Sequence, residues 1–173
     1  MNLNKYAFLD RDGTLIKEWG RDKYNVAYPP KSIDGVVFMD GAIDGLKELL
    51  KRGYKFILAT DQSYLGTPRN PKDIFDVVMD YFYSELAAHE ITFEYSMVCP
   101  HSLEDSCDCK KPKIGGLKEF LEKHVDTIDF ENSFMFGDRE TDRQFANNLG
   151  IKFVSIETNG TFVVPPTTTP LPR

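Results

Sequence analysis

The sequence has little cysteine and little histidine, with three of each among 173 residues. So few cysteines exclude a disulfide-rich scaffold, and a chain of this length can build a full hydrophobic core without disulfides. No stretch approaches the ~18 consecutive apolar residues of a membrane helix, and the opening MNLNKYAFLD lacks the basic and then apolar pattern of a signal peptide. We therefore expect a globular protein of the cytoplasm that has no membrane partner.

Positive charge is also scarce. The 21 lysines and arginines are outnumbered by 27 aspartates and glutamates, which leaves a formal net charge of −6. This balance argues against nucleic acid and acidic membranes as partners. An anionic substrate would need local cations, and the block KKPK at Lys110 to Lys113 supplies them, with Arg69 as a further candidate.

Apolar runs of strand length alternate with helical patterns along the chain, which is typical of a parallel sheet with helices on both faces. We predict an α/β protein with a three-layer α/β/α, Rossmann-like fold, a mainly parallel central sheet and no separate cap domain. The predicted strands cover residues 6–9, 55–60, 93–98, 133–138 and 151–156. The predicted helices cover residues 41–53, 71–89, 114–125 and 142–150.

The irregular parts of the sequence predict two loops and a tail. Residues 13–41 are expected to form a flap over the site, with a short strand at 36–38, and residues 61–71 a second loop on the same rim. The domain is predicted to span residues 1–158. Residues 159–173 are rich in proline and threonine, which indicates an extended tail, either a frayed terminus or a linker to a following domain.

Polar side chains follow three of the predicted strands. Asp10 and Asp12 come after the first strand, Thr60 ends the second, and Asp138 ends the fourth. Because the carboxyl ends of parallel strands lie at one edge of a sheet, we expect these side chains to converge. Paired carboxylates need a cation, and a hard ion such as Mg²⁺ suits Asp10, Asp12 and Asp138. The alternative is that DRDG is an ordinary turn with aspartate as a local cap.

These motifs also resemble those of a known family. Four motifs along residues 5–156 resemble those of the haloacid dehalogenase (HAD) superfamily of phosphohydrolases. They are, in order, DRDGTL, Thr60 at a strand end, Lys111, and GDRETD. The resemblance implies the HAD fold and a reaction through an aspartyl-phosphate. In that reaction Asp10 is the nucleophile, and Asp12 is the general acid and later the general base.

The resemblance further implies how the remaining residues act. Mg²⁺ would be held by the Asp10 side chain, the Asp12 carbonyl and Asp138, with Asp142 supporting the site from behind. Thr60 and Lys111 would hold the phosphoryl oxygens, whose charge grows in the transition state. The further residues expected to bind phosphate or substrate are Asp61, Ser63 and Lys110. The family usually has asparagine at position 61, so Asp61 places a further negative charge beside the phosphate. Activity would survive if its side chain points away and only its backbone N–H is used.

All three cysteines and one histidine lie within eleven residues, in the pattern C-x-H-x5-C-x-C at Cys99, His101, Cys107 and Cys109. Three thiolates and one imidazole form a tetrahedral set that is known for structural Zn²⁺. The alternatives are an incidental cluster and a redox role. His89 and His124 lie in or beside predicted helices without such partners, which favours surface or capping positions.

The zinc loop narrows the resemblance within the superfamily. The loop is short, and together with the segments CDCKKPK and GDRETDRQFANNLGI it looks most similar to the histidinol-phosphate phosphatase domain. That domain acts in L-histidine biosynthesis and is often fused to a dehydratase. The phosphatases of D-glycero-D-manno-heptose 1,7-bisphosphate are the second choice, and Ser63 is closer to that type. The substrate implied is a small phosphorylated metabolite. A third possibility is an inactive phosphate-binding protein, for which Asp61 is the support.

Overall fold

The computed structural model describes residues 3–167, so the last six residues of the predicted tail lie outside the described part. Five strands form one sheet with every neighbouring pair parallel, in the order β3-β2-β1-β4-β5. The strands are β1 (Lys5–Leu9), β2 (Tyr54–Asp61), β3 (Phe93–Cys99), β4 (Phe134–Gly137) and β5 (Lys152–Ser155). The helices are α1 (Ala42–Lys51), α2 (Lys72–Ala87), α3 (Lys118–His124) and α4 (Glu140–Leu149). The predicted fold class is confirmed.

The sheet separates two hydrophobic cores. Successive side chains of a strand point to opposite faces. Ala7 and Leu9 of β1 therefore join the core under α1 and α2, whereas Tyr6 and Phe8 join the core under α3 and α4. Because helices cover both faces of the sheet, the strand sequences are nearly continuous apolar runs and do not alternate between apolar and polar residues. None of the helices within residues 3–167 has the length and apolar character that crossing a membrane requires.

The long connection between β1 and α1 forms no cap domain. Leu15 and Ile16 are fully buried in the core, and the only helical turn within the connection is the short 3-10 helix Ile33–Gly35. The predicted strand at 36–38 is wrong, because Phe38 makes only an isolated antiparallel bridge to Ile16. The segment around Ile16, which would pair with it, comes directly after a tight turn at Gly13, where φ is +83°. Too few residues follow this turn for a longer pairing.

The core continues beyond residue 158. Phe162 is 4% exposed, its ring stacks on Phe136 with 5.2 Å between centroids, and its N–H donates to the Asp40 carbonyl. Arg52 also donates to the Pro165 carbonyl at 2.6 Å. Residues 159–167 have neither helix nor strand, yet part of the segment assigned to a tail closes the core above α1.

Candidate active site

Three carboxylates meet at the carboxyl edge of the sheet, where β1 lies between β2 and β4. Asp10, Asp138 and Asp142 each offer one oxygen, and these oxygens lie within 4.8 Å of one another. Two glycines permit this approach. A Cβ on Gly13 would lie 2.6 Å from Asp138 Oδ2, and a Cβ on Gly137 would lie 2.4 Å from Asp142 Oδ2. The convergence expected from the strand ends is therefore present for Asp10 and Asp138.

Lys111 joins two of the three carboxylates of this cluster. Its Nζ is 2.8 Å from Asp10 Oδ1, 2.8 Å from Asp142 Oδ1 and 2.8 Å from the Ala59 carbonyl. Burial acts to lower the pKa of Lys111, but the carboxylates of Asp10 and Asp142 outweigh burial and raise it. Burial likewise acts to raise the pKa of Asp10, and Lys111 holds it below its usual range. The result is an ionised carboxylate beside a permanent ammonium.

The pKa values of Asp138 and Asp142 are raised although each carboxylate has a cationic neighbour. Burial, with the charge of Asp10 adding to it, raises the pKa of Asp138 to about 7 and that of Asp142 to about 6. Asp138 Oδ2 accepts from Thr158 and from Arg21, whereas the buried Oδ1 has no hydrogen-bond partner among the described residues. An unpartnered carboxylate oxygen beside two further carboxylates fits a hard divalent cation such as Mg²⁺.

The Asp12 carboxylate lies beside this cluster and is held by two buried side chains. Arg11, which is fully buried, donates to it through Nε and Nη2, with the shortest distance 2.9 Å, and Gln62 Nε2 donates at 2.9 Å. Gln62 also donates to the Thr60 hydroxyl. Thr60 is 1% exposed and is absent from the described residues that line the cavity. The sequence reasoning missed Arg11 and Gln62, although a charge inside DRDG directly after a buried strand was a usable signal.

A cavity of about 280 Å³ lies in front of Asp10, Asp12 and Lys111. Its walls come from four segments that are distant in sequence, namely residues 24–27, Asp61 with Ser63, Leu103 with Lys110, and residues 139–141. The predicted flap and rim loop thus do border the site. The size suits a small molecule.

The rim of the cavity joins β2 to the cysteine loop. Asp61 Oδ1 accepts from the Lys111 N–H at 3.3 Å, and Lys110 Nζ donates to Ser63 Oγ at 2.6 Å and to the His101 carbonyl at 3.2 Å. Burial raises the pKa of Asp61, against the lowering effect of the two lysines. The Asp61 side chain therefore points toward Lys111 and not away from it.

The four donors of the cysteine cluster are close together. Cys99 Sγ is 3.1 Å from Cys109 Sγ and 3.6 Å from Cys107 Sγ, and His101 Nδ1 is 3.1 Å from Cys109 Sγ. A tetrahedral zinc ion with Zn–S bonds of ~2.3 Å needs donors roughly 3.5–3.8 Å apart, which is near these distances. All three thiols are free. The cluster therefore fits Zn²⁺ better than a disulfide.

Arginines near the site were also missed or misassigned. Arg21 and Arg139 both donate to Glu18, a 5% exposed residue of the flap, and Arg21 donates to Asp138 as well. Arg69, expected to attract substrate, instead pairs with Asp22 at 2.6 Å and is not among the described cavity-lining residues. That expectation is wrong, because a nearer anion within the chain takes the guanidinium.

Comparison with known proteins agrees with this geometry. Residues 108–163 match the HAD-hydrolase-like family model. The histidine biosynthesis bifunctional protein HisB of Legionella pneumophila (strain Lens) is 34% identical over 160 residues, which cover 92% of this chain and 43% of that protein. HisB of Buchnera aphidicola subsp. Acyrthosiphon pisum (strain Tuc7) is 38% identical over 149 residues, covering 86% and 40%. The chain is therefore similar to HAD-type hydrolases over residues 108–163 and to part of HisB over most of its own length.

Two solved phosphatase structures share the fold. The D,D-heptose 1,7-bisphosphate phosphatase from B. bronchiseptica, in complex with magnesium and phosphate, matches with a TM-score of 0.71 and 24% identity, covering 86% of this chain and 78% of that one. The corresponding phosphatase from Burkholderia thailandensis matches with a TM-score of 0.56 and 21% identity, covering 86% of this chain and 75% of that one. The chain spans about two fifths of the length of the curated HisB relatives named above.

Proposed function

We propose that this chain is a Mg²⁺-dependent phosphomonoesterase of the HAD superfamily and that its substrate is histidinol phosphate, an intermediate of L-histidine biosynthesis. The observation that carries the proposal is the group of Asp10 and Lys111, which line the cavity, with the buried Asp138 beside Asp10. It combines an ionised carboxylate, a buried ammonium and an unpartnered carboxylate oxygen. The similarity to HisB over most of the chain supports the substrate.

In the proposed reaction an oxygen of Asp10 attacks the phosphorus atom. The Asp10–phosphorus bond forms while the bond to the leaving alcohol breaks, and Asp12 gives its proton to that alcohol. Asp12 then takes a proton from water, which attacks the aspartyl-phosphate and releases inorganic phosphate and Asp10. The Asp12 side chain is 10% exposed and lines the cavity, so a leaving group can reach it.

The other charged groups serve the phosphoryl oxygens. Charge spreads over these oxygens in the transition state, so catalysis depends on positioned cations. Lys111 supplies one, and its bonds to Asp10 and Asp142 hold it in place. Asp10, the Asp12 carbonyl and Asp138 would hold Mg²⁺, with Asp142 behind them, and the bound ion would neutralise further charge. We assign Thr60 to the phosphoryl oxygens and Asp61, Ser63 and Lys110 to the substrate side of the cavity.

We propose that the cysteine cluster holds structural Zn²⁺. Four protein donors leave no position open for a reacting water, so the ion would act on folding and not on the chemistry. The chain runs from Cys109 directly into Lys110 and Lys111. A fixed loop therefore presents both lysines opposite Asp10. Free thiols also favour a reducing compartment, and we propose the cytoplasm.

Two other functions have specific support. Ser63 lines the cavity and is the residue that resembles the heptose bisphosphate phosphatases, which favours a heptose bisphosphate or another sugar phosphate as substrate. Asp61, a carboxylate at the cavity where the family usually has asparagine, favours an inactive phosphate-binding protein. In either of these cases, as for histidinol phosphate, the ligand is a small phosphorylated metabolite. A dehydratase, fused or associated, is the proposed partner by analogy with bifunctional HisB.

A substrate panel separates these candidates. We would measure kcat/KM for histidinol phosphate, heptose 1,7-bisphosphate and p-nitrophenyl phosphate, with Mg²⁺ and with chelator. The proposal predicts the highest value for histidinol phosphate and loss of turnover with chelator or in Asp10→Asn. The control Asp80→Asn changes an exposed aspartate on α2 and should keep wild-type turnover. A preference for the bisphosphate would support the sugar-phosphate candidate, and no turnover on any of them would support the binding protein.

A further inference from the structure

A small hairpin from Gly20 to Tyr28 forms one wall of the cavity. It is closed by a bridge between Arg21 and Ala27 and by the bond from the Tyr28 N–H to the Gly20 carbonyl at 2.9 Å. Its tip, residues 24–27, contributes four consecutive residues to the lining. Because the hairpin packs as a loop and not within the sheet, its position depends on a few side-chain contacts.

Asp22 uses its two carboxylate oxygens for different purposes. Oδ1 accepts from the N–H groups of Tyr24 at 2.8 Å and Val26 at 2.9 Å, and so builds the turn of the hairpin. Oδ2 accepts from Arg69 Nη1 at 2.6 Å. The hydrogen bond from the Val26 N–H lowers the pKa of Asp22, and the bond from Arg69 lowers it further by a smaller amount. The carboxylate therefore links the turn to a residue of another loop.

Arg69 reaches the hairpin from the rim loop after β2. Its guanidinium lies over the ring of Tyr64 in its own loop, 4.6 Å from the centroid, and over the ring of Tyr28 in the hairpin, at 5.3 Å. Such cation–π contacts add to the ion pair. The neighbouring Asn70 is 3% exposed and bonds back to Thr67, which fixes the end of the rim loop. Arg69 thus joins a fixed loop to the hairpin by its ion pair and by its contact with the Tyr28 ring.

The opposite side of the hairpin is attached differently. Arg21 donates to Asn25 Oδ1 at 3.0 Å within the hairpin, and to Asp138 and Glu18 outside it. Changing Arg21 would therefore disturb the proposed metal ligand Asp138. Arg69 contacts none of the three clustered carboxylates, so its effect can be measured separately.

We infer that Arg69 is a positioning residue that holds the hairpin Gly20–Tyr28 over the cavity and so determines how tightly the leaving-group part of the substrate is bound. This inference rests on the proposed phosphatase function. Asp10 and Lys111 contact the phosphoryl group in that proposal, whereas residues 24–27 form a separate wall. Loosening the hairpin therefore weakens binding of the whole substrate and leaves binding of the phosphoryl end unchanged.

The experiment compares Arg69→Met, Arg69→Lys and Asp22→Asn with wild type. Arg69→Met keeps aliphatic packing, and Asp22→Asn keeps an acceptor for the turn while removing the charge that binds Arg69. The control Arg52→Met removes an arginine of similar exposure, 22% against 28%, whose ion pair is with Glu48 on α1. The readouts are kcat and KM for histidinol phosphate, the inhibition constant of inorganic phosphate, and hydrogen exchange of residues 21–28.

We expect KM to rise about fivefold to tenfold in Arg69→Met, with kcat within about twofold, because a partly buried ion pair and two ring contacts are lost. Asp22→Asn loses only the ion pair, so its KM should rise less, in the same direction. The phosphate inhibition constant should stay at the wild-type value, and exchange in residues 21–28 should become faster. Arg69→Lys should give an intermediate result, and the double variant should be no worse than Arg69→Met, since the ion pair that Asp22→Asn removes is already absent there.

Two results would overturn the inference. One is exchange in the hairpin of Arg69→Met that is no faster than in Arg52→Met. The other is a phosphate inhibition constant that weakens in parallel with KM. Should Arg69→Met fail to fold, Arg69→Lys and Asp22→Asn give the same comparison. A wild-type protein without phosphatase turnover would contradict the proposed function, while the hydrogen-exchange comparison would still decide whether Arg69 holds the hairpin.

Discussion

Replacement of Lys111 by methionine tests the electrostatics of the site most sharply. The side chain is 4% exposed, and its Nζ bonds to the carboxylates of Asp10 and Asp142. Methionine fills a similar volume, so the main change is the loss of the charge. Removing one partner of a buried ion pair costs about 3–5 kcal/mol, because the remaining charge is left unpaired. We expect a loss of that size in the unfolding free energy of the metal-free protein at about pH 8.

The loss should depend on pH and on Mg²⁺. Below about pH 5, Asp142 and Asp138 bind protons in the folded state, since their pKa values are raised to about 6 and about 7. Fewer unpaired charges then remain, so the cost of Lys111→Met should fall. Bound Mg²⁺ supplies positive charge at the same place and should stabilise Lys111→Met more than wild type.

The assay is urea unfolding followed by circular dichroism, with and without Mg²⁺, at about pH 5 and about pH 8. Lys110→Met is the matched control, because within residues 3–167 the Lys110 ammonium bonds only to Ser63 and the His101 carbonyl. The control should lose about 1 kcal/mol, the value of an ordinary hydrogen bond. A loss below about 1 kcal/mol for Lys111→Met, or an equal loss at both pH values, would refute the reasoning.

Three further predictions concern the metal sites and the rim. Cys109→Ser should lose bound zinc and several kcal/mol of unfolding free energy, since zinc binding is coupled to folding; unchanged zinc content by metal analysis would contradict this. The metal-free wild type should lose stability as pH rises from about 4 to about 7. Folded Asp138 and Asp142 have pKa values of about 7 and about 6, above the value in the unfolded chain, so the folded state binds more protons in this range. An unfolding free energy from urea titration that does not change with pH would contradict this prediction. Asp61→Asn keeps the acceptor for the Lys111 N–H but removes a charge, so phosphate should inhibit at a roughly threefold lower concentration; unchanged inhibition would count against repulsion by Asp61.

Much of the fold could be predicted because local pattern and tertiary structure agree. The inner strands β1, β2 and β4 are almost entirely buried, so the strand segments stand out between the helical patterns. All five strands and the helices α1, α2 and α4 were located within two residues, whereas α3 begins four residues after its predicted start because a 3-10 turn precedes it. The meeting of Asp10 with Asp138 followed from parallel topology alone. The cysteine cluster was visible because its four donors are within eleven residues.

The contacts between loops could not be predicted. Asp22 and Arg69 are 47 residues apart, in segments without periodicity, and their pairing depends on how two loops pack over a finished sheet. The burial of Arg11 was hidden for a similar reason, since its partner Gln62 comes from another strand end. Phe162 was assigned to a tail because no periodic element surrounds it, although its ring completes the core.

The central claim is that Asp10 accepts a phosphoryl group. The most direct measurement is an acid quench of wild-type protein during turnover of radiolabelled phosphomonoester with Mg²⁺, followed by digestion and mass spectrometry of the labelled peptide. The account predicts an acid-stable, hydroxylamine-sensitive acyl phosphate on the peptide that contains Asp10, absent from Asp10→Asn. Active turnover with no label on that peptide, or an equal label in Asp10→Asn, would contradict the account.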